Sequence, residues 1–149
     1  MHEVITKARE RLRNSLLSGG SVCPCCDRPA KAYTAEMDWH MAKTLQNYFL
    51  RDAEHPGKFV RWAEVLQVGP HSSYNTSYSH LERWGLLERH PEKPGFRRIT
   101  LEGKRFVRGI TKVPRYLFIY RGDVLRTSVM STKFDEAMTR KRNKHKAPA

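Results

Sequence analysis

Cysteine, acidic side chains and long apolar runs are all scarce in this chain, and each shortage closes a class of protein. The three cysteines crowd into Cys23, Cys25 and Cys26. An odd number in one short stretch does not build the disulfide framework of a secreted domain, so a reducing, cytoplasmic setting is expected. No apolar run approaches the ~20 residues that span a bilayer, and the first ten residues lack the apolar stretch of a signal peptide. There is no Gly-rich phosphate loop, HExxH helix or nucleophile elbow, so a binding protein is expected and not an enzyme. Fifteen Asp+Glu face 28 Lys+Arg, leaving a net charge of +13. Such an excess suits a polyanion, because each phosphate neutralised by Lys or Arg releases condensed counterions.

The 149 residues suit one compact domain with additions at its ends. Three regions are expected: an N-terminal helix and cysteine turn over 1–35, a central domain over 36–131, and a basic, disordered tail over 132–149. Val4, Ala8, Leu12, Leu16 and Leu17 recur at helical spacing from His2 to Leu17, and Ser18-Gly19-Gly20-Ser21 ends that helix. Lys31 to Thr34 reads as a short strand. A second helix is expected from about Met37 to Arg51, with Asp38 at its N-cap and Met41, Ala42, Leu45, Tyr48 and Phe49 on its buried face. His55-Pro56-Gly57 breaks it.

Phe59 to Val68 fits a helix or a strand, with Val60, Ala63 and either Val65 or Leu66 on one side. A third helix is expected from about Ser72 to Trp84, burying Tyr74, Tyr78, Leu81 and Trp84. Gly85 follows where a left-handed residue ends a helix at little cost. Leu86–Arg89 and Phe96–Thr100 read as strands around the breaker-rich turn His90 to Gly95. Gly103 to Ile110 looks helical. Tyr116–Tyr120 and Val124–Thr127 form a second hairpin about Arg121-Gly122-Asp123.

The segment from His80 to Val107 carries a resemblance. Leu81, Trp84, Gly85, Leu86, Leu87, Glu88, Thr100 and Gly103 match the helix-to-wing pattern of winged helix-turn-helix regulators, including the MarR-like ones. Over roughly residues 21–125 the chain is also similar to small proteins encoded by phages and prophages. The resemblance implies an α+β fold, a winged helix-turn-helix with an N-terminal helix, a Cys-rich turn and a C-terminal β-hairpin. With the basic charge, double-stranded DNA is the expected partner of a phage-type regulator or accessory factor, nucleoid-associated or in a host cytoplasm. The polar face of the third helix, Ser73, Asn75, Thr76, Ser79, His80 and Arg83, holds compact or hydrogen-bonding residues that suit phosphates and base edges. Arg89, Lys93, Arg97 and Arg98 are the wing cations expected on phosphate or in a minor groove.

Two rival partners fit the same composition: a host protein docked on the winged fold, or RNA stacked on Tyr74, Tyr78 or Tyr116. Many winged regulators are dimers, which would place the first helix or the last hairpin at a homodimer interface. Cys23 and Cys26 form a CPxC turn, half of a tetrahedral zinc site. Cys25, His2, His40, His55 or a second subunit would have to complete it; a former zinc ribbon that has lost one cysteine pair is the other reading. Glu36 and His40, four apart on the chain, can meet as a capping or surface pair.

Overall fold

The computed structural model describes residues 2–18, 20–23, 26–66 and 77–140. The fold is mixed α+β, and all its strand pairs are antiparallel. It begins with α1 (His2–Leu17), whose apolar stripe buries only its C-terminal end: Leu16 is buried, whereas Val4 and Ile5 are exposed. Strands β1 (Ser21–Val22) and β2 (Pro29–Ala30) pair across the cysteine turn. β3 (Tyr33–Glu36) follows, and α2 (Trp39–Glu54) starts where Asp38 accepts the Met41 N–H at 3.1 Å. The buried face of α2 holds Met41, Ala42, Leu45 and Tyr48 as expected, with Thr44 beside them and Phe49 half-buried.

The ambiguous segment is both strand and helix: β4 (Val60–Arg61) runs directly into α3 (Trp62–Leu66). Val65 is buried but Ala63 is exposed, so the expected face is rotated. α4 (Ser77–Arg83) leads to β5 (Leu87–Arg89), β6 (Phe96–Ile99) and α5 (Leu101–Val107). Residues 67–76, which include positions 72–76 of the predicted third helix, lie outside the described residues. β7 (Val113–Pro114), β8 (Tyr116–Tyr120), β9 (Asp123–Thr127), β10 (Ser131–Thr132) and α6 (Phe134–Thr139) complete the described chain.

Two three-stranded sheets organise the molecule, one in the order β4-β6-β5 and the other β3-β8-β9. The main core lies between the helices and the first sheet, with Leu45, Tyr48, Leu81, Leu86, Ile99 and Phe106 almost fully buried. Truncating such a residue to alanine costs about 2–5 kcal/mol. A smaller core under the second sheet holds Ala35, Leu117 and Ile119. Trp84 packs against both cores and donates its indole N–H to the Pro114 carbonyl at 2.8 Å, so it joins the two layers.

The expected tail boundary is corrected by α6. Ala137 is fully buried, Phe134 meets Phe106 edge-on at 5.8 Å, and Arg140 donates to the Met37 carbonyl at 2.9 Å. Residues 132–140 therefore belong to the fold, and 141–149 lie outside the described residues. Phe134, Ala137 and Met138 already carry the helical i, i+3, i+4 spacing. A six-residue helix is marginal in isolation, however, and needs the α2 surface to form.

The turn after α2 is held from below. Asp52 accepts the Gly57 N–H at 3.0 Å and pairs with Lys104 of α5 at 2.9 Å. Burial raises the Asp52 pKa, but the Gly57 N–H, Lys104 and Arg98 outweigh it and the net shift is downward. A carboxylate with a depressed folded-state pKa contributes stability that is complete above its unfolded value and lost as pH falls through the folded one. Asp52→Asn should therefore destabilise the protein at neutral pH, and the gap to wild type should close in acid below the ordinary carboxylate range. Urea denaturation across that range measures it; a gap independent of pH would refute the charge-based account.

Candidate nucleic-acid interface

The site predicted from sequence is built on the joint between α4 and the β5–β6 hairpin. Leu81 anchors α4 in the core. Gly85, at φ +76°, donates to the Glu82 carbonyl at 2.9 Å while Leu86 donates to the Leu81 carbonyl at 3.0 Å. This paired closure satisfies the last carbonyls of the helix and turns the chain straight into β5. The hairpin register sets Leu87 opposite Ile99, Glu88 opposite Arg98, and Arg89 opposite Arg97. At its tip the His90 Nδ1 accepts the N–H groups of both Glu92 and Lys93 at 3.0 Å. β4 then pairs with the far side of β6, with Arg61 opposite Phe96.

Alternation along β6 divides the wing cations. Arg97 points inward with Ile99 and is buried, its side chain only 5% exposed, in an ion pair with Glu82 of α4. The expectation that Arg97 meets phosphate is therefore corrected: its side chain holds the hairpin to the helix. The same Glu82 carboxylate receives Arg89 at 3.1 and 3.3 Å, although Arg89 stays 64% exposed. Arg98 pairs with Glu88, donates to the Gly57 carbonyl at 3.1 Å and lies 4.3 Å from the Phe59 ring centroid. Lys93 stands exposed at the tip, 5.7 Å from the Phe96 ring, and among the described residues it has no carboxylate partner.

On α4 the predicted contacts also turn inward. Arg83 donates to the Gly122 carbonyl at 3.0 Å and lies 2.9 Å from the His80 Nδ1. It thereby ties α4 to the β8–β9 turn. His80 packs edge-on against Tyr33 at 6.1 Å, and Ser79 is half-buried. Ser73, Asn75 and Thr76 lie outside the described residues, as does Tyr74.

Arg61 and Lys58, absent from the predicted site, join the outer face of the wing. Arg61 is exposed with its guanidinium 5.7 Å from the Phe96 ring centroid, and Lys58 is exposed on the turn before β4. Phe59 sits against His90 at 4.7 Å. The outer face thus alternates cations with aromatic rings, an arrangement in which the rings hold the guanidinium and ammonium groups near the surface without neutralising them. The signal in the sequence was Lys-Phe-Val-Arg read as a strand, which puts Phe59 and Arg61 on one side.

In the cysteine turn, Cys23 donates its N–H to the Arg28 carbonyl and accepts that of Asp27, both at 2.9 Å. Cys23 is half-buried and Cys26 is exposed. Cys25 lies outside the described residues. Among the described residues no third His, Cys, Asp or Glu stands with the two thiols to complete a tetrahedral set. His40 lies in the first turn of α2, and Glu36 engages Arg115 at 3.0 Å and Arg140 at 3.6 Å. No helix among the described residues is long and apolar enough to cross a membrane. No protein-family model, curated protein or solved structure matches the chain.

Proposed function

We propose that the chain is a winged helix-turn-helix protein that binds duplex DNA and has a binding rather than a catalytic role. The observation that carries this reading is topological. Helix α2, strand β4, helices α3 and α4, and the β5–β6 hairpin follow one another, and β4 returns to the hairpin to give the order β4-β6-β5. A short strand inserted between the first two helices and added to the wing is the arrangement the winged reading requires, and it depends on residues outside the matched segment. The net charge of +13 and the exposed Arg61 and Lys93 on the wing supply the electrostatics.

Duplex binding by fluorescence anisotropy across a salt series tests the proposal, with the full chain beside a version ending at Arg140. The truncation must spare α6, because that helix is part of the core. Arg61→Ala and Lys93→Ala should each weaken binding across sequences and lower the salt slope by about 1. Arg89→Ala should do less, since its guanidinium is already shared with Glu82. Binding that disappears with residues 141–149, or that ignores both wing substitutions, would move the assignment to a basic-tail anchor on a protein-docking domain.

A further inference from the structure

The second sheet carries a surface that the winged reading does not use. On its central strand β8, Leu117 and Ile119 point into the smaller core, so Tyr116, Phe118 and Tyr120 form a row on the opposite face. Alternate residues of a strand lie about 7 Å apart, so three rings cover roughly 14 Å. Cross-strand partners complete the face: Thr34 and Arg126 lie opposite Phe118, Glu36 opposite Tyr116, and Asp123 opposite Tyr120.

Each ring is accompanied by a guanidinium. Arg126 lies 4.2 Å from the Phe118 centroid, Arg115 5.2 Å from Tyr116 and Arg121 5.5 Å from Tyr120. Arg115 is held by Glu36, but Arg121 and Arg126 are exposed and have no carboxylate within 4 Å among the described residues. Beside the row an open groove of about 400 Å³ is lined by Tyr116, Phe118, Arg126, Ser128 and Met130. That volume lies in the range of pockets that hold small planar ligands.

We propose that this face is a second nucleic-acid site, which binds single strands by stacking unpaired bases on Phe118 and its neighbours. The charge complementarity is specific to a polyanion with flat, apolar bases. Stacked rings provide sequence-tolerant contact, and the adjacent guanidinium groups meet the phosphates that connect the bases. A duplex cannot use the face, because its bases are already stacked on each other. An apolar protein partner would not need a cation beside every ring. The site is independent of the wing, so the chain would hold duplex and single strand on different sheets.

The test is anisotropy with labelled oligo-dT, oligo-rU and a duplex of the same length, on the full chain. Phe118→Ala should weaken single-strand binding by between about fivefold and a hundredfold, and leave duplex binding unchanged. Arg126→Ala should weaken it less and reduce its salt dependence. Phe118→Leu keeps apolar bulk without a π face, so it separates stacking from folding: a folded Phe118→Leu chain must show most of the same loss. Preference between dT and rU then assigns DNA or RNA as the strand bound. Undiminished single-strand affinity in Phe118→Leu, or equal loss of single-strand and duplex binding, would overturn the proposal. Because Arg61→Ala and Lys93→Ala report on the wing alone, failure of one site is distinguishable from failure of the other.

Discussion

Glu82→Ala should unfold at a much lower urea concentration than wild type, a loss of about 3–5 kcal/mol with an unchanged denaturant slope. The charge on Arg97 is the reason. Its side chain is buried between α4 and the wing, and the Glu82 carboxylate is its ion-pair partner. Removing the carboxylate takes a buried ion-pair partner from a guanidinium in the interior, and breaking a buried pair by removing one member costs far more than the pair itself contributes. Arg97→Ala should cost less, because Glu82 keeps Arg89 at 3.1 Å. Replacing both, as Glu82→Leu with Arg97→Met, should recover most of the stability, since apolar side chains of similar size often replace a buried ion pair without penalty. A Glu82→Ala chain of wild-type stability would show that Arg97 reaches water, and would return it to the list of phosphate contacts.

Gly103→Ala is expected to destabilise the chain by about 3 kcal/mol, the upper part of the range for overpacking. Alanine is the better helix former by about 1 kcal/mol, so the sign depends entirely on space. A Cβ at Gly103 would collide with the Leu86 carbonyl oxygen and stand 2.6 Å from Ile99 Cγ1. Neither neighbour can move away freely. The Leu86 carbonyl accepts the Thr100 N–H at 3.0 Å, and Ile99 is packed in the core. The same glycine's N–H is capped by the Thr100 hydroxyl at 3.0 Å, and that hydroxyl donates to the Gly85 carbonyl at 2.6 Å. Thr100 and Gly103 thus dock α5 onto the end of the wing together. Thermal denaturation of Gly103→Ala beside the exposed control Glu102→Ala measures the effect; equal midpoints would mean that α5 does not approach the hairpin this closely.

Several features were legible from local chemistry. The Asp38 cap, the Gly85 helix end, the Thr100 cap and the Gly-containing turn of the last hairpin all appear where the residue types require them. Arg121 and Gly122 both take positive φ there, 49° and 82°, as a two-residue hairpin turn demands. The buried face of α2 followed from its spacing, and the alternation of β8 is visible in Tyr-Leu-Phe-Ile-Tyr. The two matched positions of the helix-to-wing pattern with the clearest physical roles, Gly85 and Gly103, do different work. One supplies a left-handed conformation and the other a missing Cβ.

The candidate site was much less legible. Arg83, Arg97 and Lys93 are equivalent as sequence, yet one clamps a distant turn, one is buried on Glu82 and one stands exposed at the wing tip. Fifteen residues separate Glu82 from Arg97, and 39 separate Arg83 from Gly122. No local rule pairs positions so far apart. The chain by itself determined helix ends, turns and which residues are apolar, because caps, periodicity and left-handed positions depend on neighbours within about five residues. Only the tertiary structure decided which cations are spent inside the fold, that α6 belongs to the core, and that Tyr116, Phe118 and Tyr120 face outward together. Those outcomes depend on what each side chain meets across the molecule, and burial and ion pairing are properties of that encounter.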